Sequence, residues 1–251
     1  MKVINASYSI LSPYIDHPDA ATEIYKRIEN AGRTCYKSKN SNDDKGAEKF
    51  VRMIVKSGHE AMLEHVGMTV KFIVDRGISH ELVRHRIASF AQESTRYCNY
   101  SQDRFENEIT VIEPVFFMDI LKEKRIDCQN LSDTSFANID PNSTITKFPI
   151  TNSHEIAYYR WYDSCKNAEF NYFSMLKNGC TPQEARSVLP TSLKTEIIMT
   201  ANMREWRHFL MLRAEGTTGA PHPQMLEVTV PLLNELRMKL PALFDDIIPI
   251  E

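Results

Sequence analysis

The chain has 251 residues, 42% hydrophobic and 25% charged, the proportions of an ordinary globular protein long enough to bury a substantial core. Its 30 Lys and Arg against 33 Asp and Glu give a net charge of −3 and a pI near 6.3. That balance argues against a protein that coats nucleic acid and leaves any positive field to be local.

In chain order, residues 1–14 contain an alternating piece, VINASYSIL, that fits an edge strand. A helix is predicted to start near Asp16 or Pro18, with Ile24, Ile28 and Ala31 on one face. A second helix is predicted from Lys45 to Lys56, with Phe50, Met53 and Ile54 at helical spacing and Gly58 as its stop. Val66 to Val74 alternates and is rich in β-branched residues, which predicts a strand. Gly77 breaks it, ISHELVRHR reads as a short helix, and IASFAQESTRY as extended backbone or loop crowded with polar groups. A strand is expected at Ile109 to Glu113. Residues 127–153, rich in Asn, Asp, Ser, Thr and Pro, read as a surface insertion. A long helix follows from about His154 to Lys177, closed by Asn178-Gly179. Thr181-Pro182-Gln183-Glu184 then has the N-cap, N1 proline and N3 acid of a new helix, which Leu189-Pro190 ends. Leu193 to Ala201 alternates as a strand, NMREWRHFLMLRA reads as one helix, and a last helix spans Pro223 to Leu240. Helices and strands interleave irregularly. The expectation is an α/β fold with α+β-like order, a single domain over 1–251.

Chemistry concentrates between positions 80 and 96, where His80, Glu81, Arg84, His85, Arg86, Gln92, Glu93, Ser94 and Arg96 fall within a short stretch. Arg presents a planar fork of donors matched to phosphate or carboxylate oxygens, so several together suit a phosphate-bearing small molecule. The bland alternative is a solvated charged helix end. It is weakened here because the cluster runs on into a Ser/Gln/Glu/Arg loop of the kind that carries function. A second concentration is Asn202, Arg204, Arg207, His208 and Arg213, with Arg204 and His208 four apart. Arg186 is a third candidate anion contact. His59, Glu60, Glu64 and His65 in GHEAMLEH invite a metal reading, but HExxH is absent because position 63 is Leu; no metal site is expected.

The five cysteines, Cys35, Cys98, Cys128, Cys165 and Cys180, are odd in number, spread out and without a CxxC pair. They suggest neither a disulfide framework nor a zinc knuckle, and a reducing cytoplasm is the simplest reading. No stretch approaches the ~18 consecutive apolar residues of a membrane span, and the first 20 residues lack the apolar core of a signal peptide.

Arg84-His85-Arg86, seven residues, then Ser94 fits the RHRx7S signature of the flavin-dependent thymidylate synthases. GHEAMLEH before it, and ARSVLP, NMREWRHFLMLRA and HPQM after it, resemble further segments of that family in the same order, from about Thr34 to Gln224. The resemblance implies a mixed sheet packed with long helices. It also implies reductive methylation of dUMP to dTMP, with methylenetetrahydrofolate as carbon donor, FAD as hydride carrier and NADPH as reductant. It further implies a homotetramer whose active sites draw on more than one subunit, with no nucleic acid or membrane as partner.

Carried over residue by residue, His59, Ala61, Glu64, Arg84, His85, Arg86, Gln92, Asn202, Met203, Arg204, His208 and His222 would meet the flavin. Glu81, Arg84, Gln92, Glu93, Ser94, Thr95, Arg96, Arg186 and Arg213 would line the dUMP pocket. Arg213 would polarise the uracil, and Ser94 is the other residue assigned to catalysis. Several positions depart from the family pattern: Glu81 stands where Gln is common, Ala91 where Asn is common, Ala61 where Thr occurs and Cys35 where Ser can touch the flavin. Glu81 is the most awkward, since a carboxylate near a phosphate costs binding unless an Arg neutralises it. Two other classes compete. A metal-dependent nucleotide phosphohydrolase would need ligand spacing that the His/Glu pairs lack, and a nucleic-acid binder would show steep salt dependence.

Overall fold

A computed structural model describes residues 1–13, 15–40, 43–117 and 153–250. The chain divides into two compact units. One comprises Met1–Ala6, Val74–Gly77 and Glu93–Thr195; the other comprises Ser7–Ile73, Ile78–Gln92 and Glu196–Glu251. The expected insertion at 127–153 lies, apart from Ser153, outside the described residues.

The unit containing the middle of the chain is built on a short parallel pair. β1 (Lys2–Ile4) aligns with β5 (Thr110–Ile112), Val3 opposite Val111. The long helix α4 (Ser153–Lys177) supplies Cys165 and Tyr172 to a core with Tyr100, Ile109, Val111, Ala185 and Leu193. That helix ends as expected at Asn178-Gly179, where Gly179 takes φ 91°, a conformation that favours glycine. α5 (Pro182–Ala185) follows and is started by its reciprocal cap. The Glu184 carboxylate accepts from both the N–H and the hydroxyl of Thr181, at 2.7 and 2.8 Å.

The other unit holds a four-stranded sheet in the order β2-β3-β6-β4, with β2 (Ser7–Ser12), β3 (Gly67–Asp75), β4 (Ala88–Gln92) and β6 (Lys194–Asn202). The single edge strand expected over residues 3–11 is two strands in different sheets: β1 pairs with β5, and only β2 is the edge strand here, antiparallel to β3 from Ser7↔Ile73 to Ile10↔Val70. Met68, Val70 and Phe72 of β3 are fully buried on one face, the period of two read in the sequence. With one parallel and two antiparallel pairs assigned, strand pairing is mixed and the fold is α/β.

Of the two readings left open for IASFAQ, extended backbone is the one the structure shows. Residues 88–92 pair antiparallel with β6, Ala88 opposite Ala201 and Gln92 opposite Ile197. Its alternation was masked because an edge strand needs only one half-buried face, and Ser89 and Ala91 are exposed.

Two helices, α1 (Ala20–Tyr36) and α2 (Asp44–Lys56), pack on each other. In α2 the inward face is Ala47, Phe50, Val51 and Ile54, whereas Met53 is 55% exposed, so grouping it with the core face was wrong by one position. A Cβ at Gly32 would lie 2.4 Å from the Phe50 ring. Replacing a mid-helix Gly by Ala ordinarily gains about 1 kcal/mol, but overpacking against a buried ring costs roughly 1–3 kcal/mol. Gly32→Ala is therefore expected to lower the thermal midpoint, and a raised midpoint would show that α1 and α2 are free to separate.

After β6 come α6 (Met203–Leu210), a π-turn over Met211–Glu215, α7 (Pro223–Lys239) and α8 (Pro241–Phe244). Trp206 and Phe209 of α6 pack with Phe72 of β3, and the Trp206 indole N–H donates to the Met68 carbonyl at 2.9 Å. Among the described residues no helix is long and apolar enough to cross a membrane.

Candidate active site

The sheet unit gathers most of the residues singled out by sequence. α3 (Arg76–Leu82) carries Glu81 on its last turn. The chain then turns back, with the Arg84 and His85 N–H groups donating to the carbonyls of Glu81 and Leu82, both at 3.2 Å. This reversal splits the Arg-His-Arg triplet. His85 is folded inward, 6% exposed, while Arg84 and Arg86 stand in solvent, and among the described residues neither arginine side chain takes a partner.

His85 meets residues from α6 and the π-turn. Its Nε2 accepts from the Arg213 Nε–H at 3.3 Å, its Nδ1 lies 3.6 Å from Glu205 Oε1, and its ring stands edge-on to Phe209 at 4.8 Å. Burial, with Arg213 and His208 adding, pushes the His85 pKa down to about 4, so the ring is neutral at neutral pH. Arg213 also donates from Nη1 to Glu81 Oε2 at 2.9 Å. The carboxylate that looked awkward in the sequence is thus neutralised by the very arginine expected to polarise a ring.

Arg213 sits in the π-turn, where backbone geometry widens by one residue, a device frequent at functional sites. Its carbonyl accepts from the hydroxyl of buried Thr229 on α7 at 2.6 Å. Gly216, with φ 76°, ends the turn, and a Cβ there would meet the Ile250 side chain at 2.5 Å. Sequence periodicity reads NMREWRHFLMLRA as one helix and carries no signal for this widening.

Asn202 caps α6, its side-chain oxygen accepting from the Glu205 N–H at 2.9 Å. Arg204 and His208 are exposed on one face of that helix. Arg204 reaches Glu64 at 2.6 Å, and Arg207, on the buried side, takes Glu60 at 3.1 Å, so the short 3-10 helix Glu60–His65 is pinned twice. His59, just before that helix, and Ala61, within it, are exposed. Gln92 donates to the buried Ser79 hydroxyl at 2.8 Å. His222 is exposed and caps α7, accepting from the Gln224 N–H at 3.2 Å.

Two residues that the resemblance places at the flavin face inward. Met203 is fully buried and its N–H is committed to the Val66 carbonyl at 2.8 Å, so its side chain serves the core. His85 is turned toward Glu205 and Arg213 rather than outward. Among the described residues no group of three or more His, Cys, Asp or Glu is placed to hold a metal ion.

The other unit holds the remaining candidates, Glu93 to Arg96 and Arg186. Arg186, exposed on the 3-10 turn after α5, donates to the Oγ1 of buried Thr95 at 3.3 Å. Exposed Arg96 donates to Gln183 at 2.9 Å and lies over the Tyr97 ring at 5.5 Å. Both guanidinium groups are thereby oriented while keeping donors for an anion. Glu93 is ion-paired with Lys194 at 3.1 Å, and its carbonyl accepts from Arg76 at 3.1 Å. The Ser94 hydroxyl oxygen accepts from the Arg96 N–H at 3.3 Å within a turn, and among the described residues no side-chain base bonds it. The Ser94 side chain is thus oriented within that turn.

Sequence reasoning passed over Glu205, Arg76, Gln183, Lys194 and Thr229. Glu205 had a signal, since an acid three residues after Asn202 is a capping pattern, but it pointed to a helix start rather than to His85.

The family model described as "Thymidylate synthase complementing protein" (Thy1) matches residues 19–242. A protein of Corynebacterium aurimucosum named flavin-dependent thymidylate synthase is 30% identical over 232 residues, 91% of this chain and 82% of that one. One of the same name from Mycobacteroides abscessus is 27% identical over 241 residues, 94% of this chain and 85% of that one. Among solved structures, the UMP/dUMP methylase PolB from Streptomyces cacaoi, bound with 5-Br dUMP, superposes with a TM-score of 0.69 at 19% identity, covering 98% of this chain and 96% of that one. At that identity the likeness concerns the fold.

Proposed function

The chain belongs to the flavin-dependent thymidylate synthase family, and from that premise we propose that it methylates dUMP reductively to dTMP. The carbon comes from methylenetetrahydrofolate and the reducing equivalents from NADPH through FAD. The observation that carries the reading is Arg213, oriented in a π-turn by Glu81 at 2.9 Å and by neutral His85 at 3.3 Å. A uracil that is to bond through C5 must accumulate negative charge, and a guanidinium held at N3 and O2 stabilises that charge as it develops.

The donor set fits a dinucleotide. Arg84 and Arg86 offer two solvent-facing guanidinium groups for a pyrophosphate, and Arg204, His208, His59 and His222 are exposed in the same unit. When bound, the flavin supplies the redox step, and the protein supplies binding, orientation and charge. In the other unit, Arg96 and Arg186 would bind the dUMP phosphate, with Glu93, Ser94 and Thr95 lining the nucleotide. Residues 1–251 are read as one catalytic domain, working as a homotetramer in the cytoplasm.

The purified protein should absorb in the visible as a flavoprotein and form dTMP only when dUMP, methylenetetrahydrofolate and NADPH are all present. Turnover should survive EDTA, which a metal-dependent phosphohydrolase would not. A colourless protein that takes up no FAD on reconstitution would sink the proposal, and light scattering at the mass of a monomer would remove the tetramer from it.

A further inference from the structure

His85 is neutral, and its Nε2 faces an N–H donor, Arg213 Nε, at 3.3 Å. An imidazole nitrogen that accepts has no proton, so the single ring proton belongs on Nδ1. Nδ1 faces Glu205 Oε1 at 3.6 Å, an electrostatic contact rather than a formed hydrogen bond. Glu205 is 7% exposed in the first turn of α6, where its backbone N–H is already taken by Asn202. The other groups around the ring are Phe209 edge-on, His208 at 6.4 Å between ring centres, and Arg213, with Glu81 beyond it. Glu205 is thus the only acceptor beside Nδ1 among these, and its carbonyl oxygen accepts whether or not the carboxyl carries a proton.

We propose that Glu205 is a positioning residue: it holds the His85 proton on Nδ1, keeps Nε2 as an acceptor for Arg213, and so fixes the plane of that guanidinium. Glu81 anchors one end of the fork and His85 the other, so the donors left on Arg213 point in one direction. The local assignment rests on geometry alone, whereas its consequence for turnover rests on the function proposed above.

The test is 15N-histidine NMR of the flavin-loaded full-length protein, with the His85 signals identified by their loss in His85→Gln. The expected pattern is protonated Nδ1 and bare Nε2 in the wild type and in Glu205→Gln, whose amide carbonyl still accepts. In Glu205→Leu the two tautomers should mix or exchange. Misorientation of a reacting group costs up to about 100-fold, so kcat in the leucine variant should fall by about 10- to 100-fold. The flavin spectrum and KM for dUMP should shift less than about 2-fold, since the relay aligns a group already in place. The glutamine variant should recover most of the rate. A wild-type His85 protonated on Nε2 overturns the proposal, and so does a Glu205→Leu protein whose His85 stays protonated on Nδ1 alone with kcat unchanged; if Glu205→Leu fails to fold, Glu205→Ala is read in its place. A wild type with the expected tautomer that makes no dTMP supports the relay and rejects the functional reading; one that makes dTMP with the opposite tautomer rejects the relay alone.

Discussion

Arg213→Ala is expected to lower kcat for dTMP formation by about 100- to 1,000-fold, the effect of losing one preorganised donor to developing negative charge, while the visible flavin spectrum is retained. Among the described residues no other cation bonds Glu81 or His85, and both meet the same guanidinium, at 2.9 and 3.3 Å. Alanine removes the charge and leaves Glu81, which is partly exposed, without its cation. The carboxylate would then oppose the same charge that Arg213 favours. Arg213→Lys should rescue little. A lysine is a point charge, and it cannot place one donor on His85, another on Glu81 and a third on a substrate from one rigid plane. Steady-state kinetics with saturating dUMP separate the possibilities, and a variant that keeps more than a tenth of wild-type turnover would remove Arg213 from its role.

Arg207→Met should destabilise the fold strongly. The Arg207 guanidinium is 4% exposed and grips Asp246 through two parallel bonds of 2.8 Å, Glu60 at 3.1 Å and the Leu243 carbonyl. One side chain therefore ties α6 to the 3-10 helix at Glu60–His65 and to the end of α8. Breaking a buried pair by removing one partner costs about 3–5 kcal/mol. Glu60 and Asp246 stay partly solvated when left behind, which favours the lower figure. For a chain of this length about 3 kcal/mol corresponds to roughly 6–12 °C in the thermal midpoint.

The pair also sets a pH dependence. The Arg207 hydrogen bond and charge hold Asp246 below its ordinary 3.8 in the folded protein. Its contribution is fully present above that value and is lost as pH falls through the lowered folded one. Acid titration of stability should show that component in the wild type and lack it in Arg207→Met. A midpoint unchanged within 2 °C would mean that Arg207 is not the clamp.

Elements with strong periodicity were legible in the chain. β3 announced itself by strict alternation, α4 by its length and its Asn178-Gly179 end, and α5 by a complete cap. β4 was not, because an edge strand with small and polar residues carries almost no alternation until its partner is known. Met53 was misplaced for a related reason: three apolar residues within one turn leave the inward direction undetermined until Phe50 meets Gly32. Among the site residues, the Arg-His-Arg segment was visible as a charge concentration. Its division into two outward arginines and one inward histidine was not, because that depends on the two hydrogen bonds that reverse the chain after Leu82.

By itself the sequence determined the family, through the spacing of Arg84, His85, Arg86 and Ser94 and four further segments in order, because residue type and spacing along the chain are local properties. It also determined which side chains have the chemistry to hold anions. Only the tertiary structure decided which of them are committed to one another. Glu81 and Arg213 are 132 positions apart and His85 and Arg213 128, and α3, α6 and the π-turn bring them within hydrogen-bonding distance. The surroundings of Glu205, Met203 and Arg207 were decided at the same level. Burial is fixed by what packs around a helix face, and a single helical stretch reads alike whether its acid caps a helix or faces a histidine.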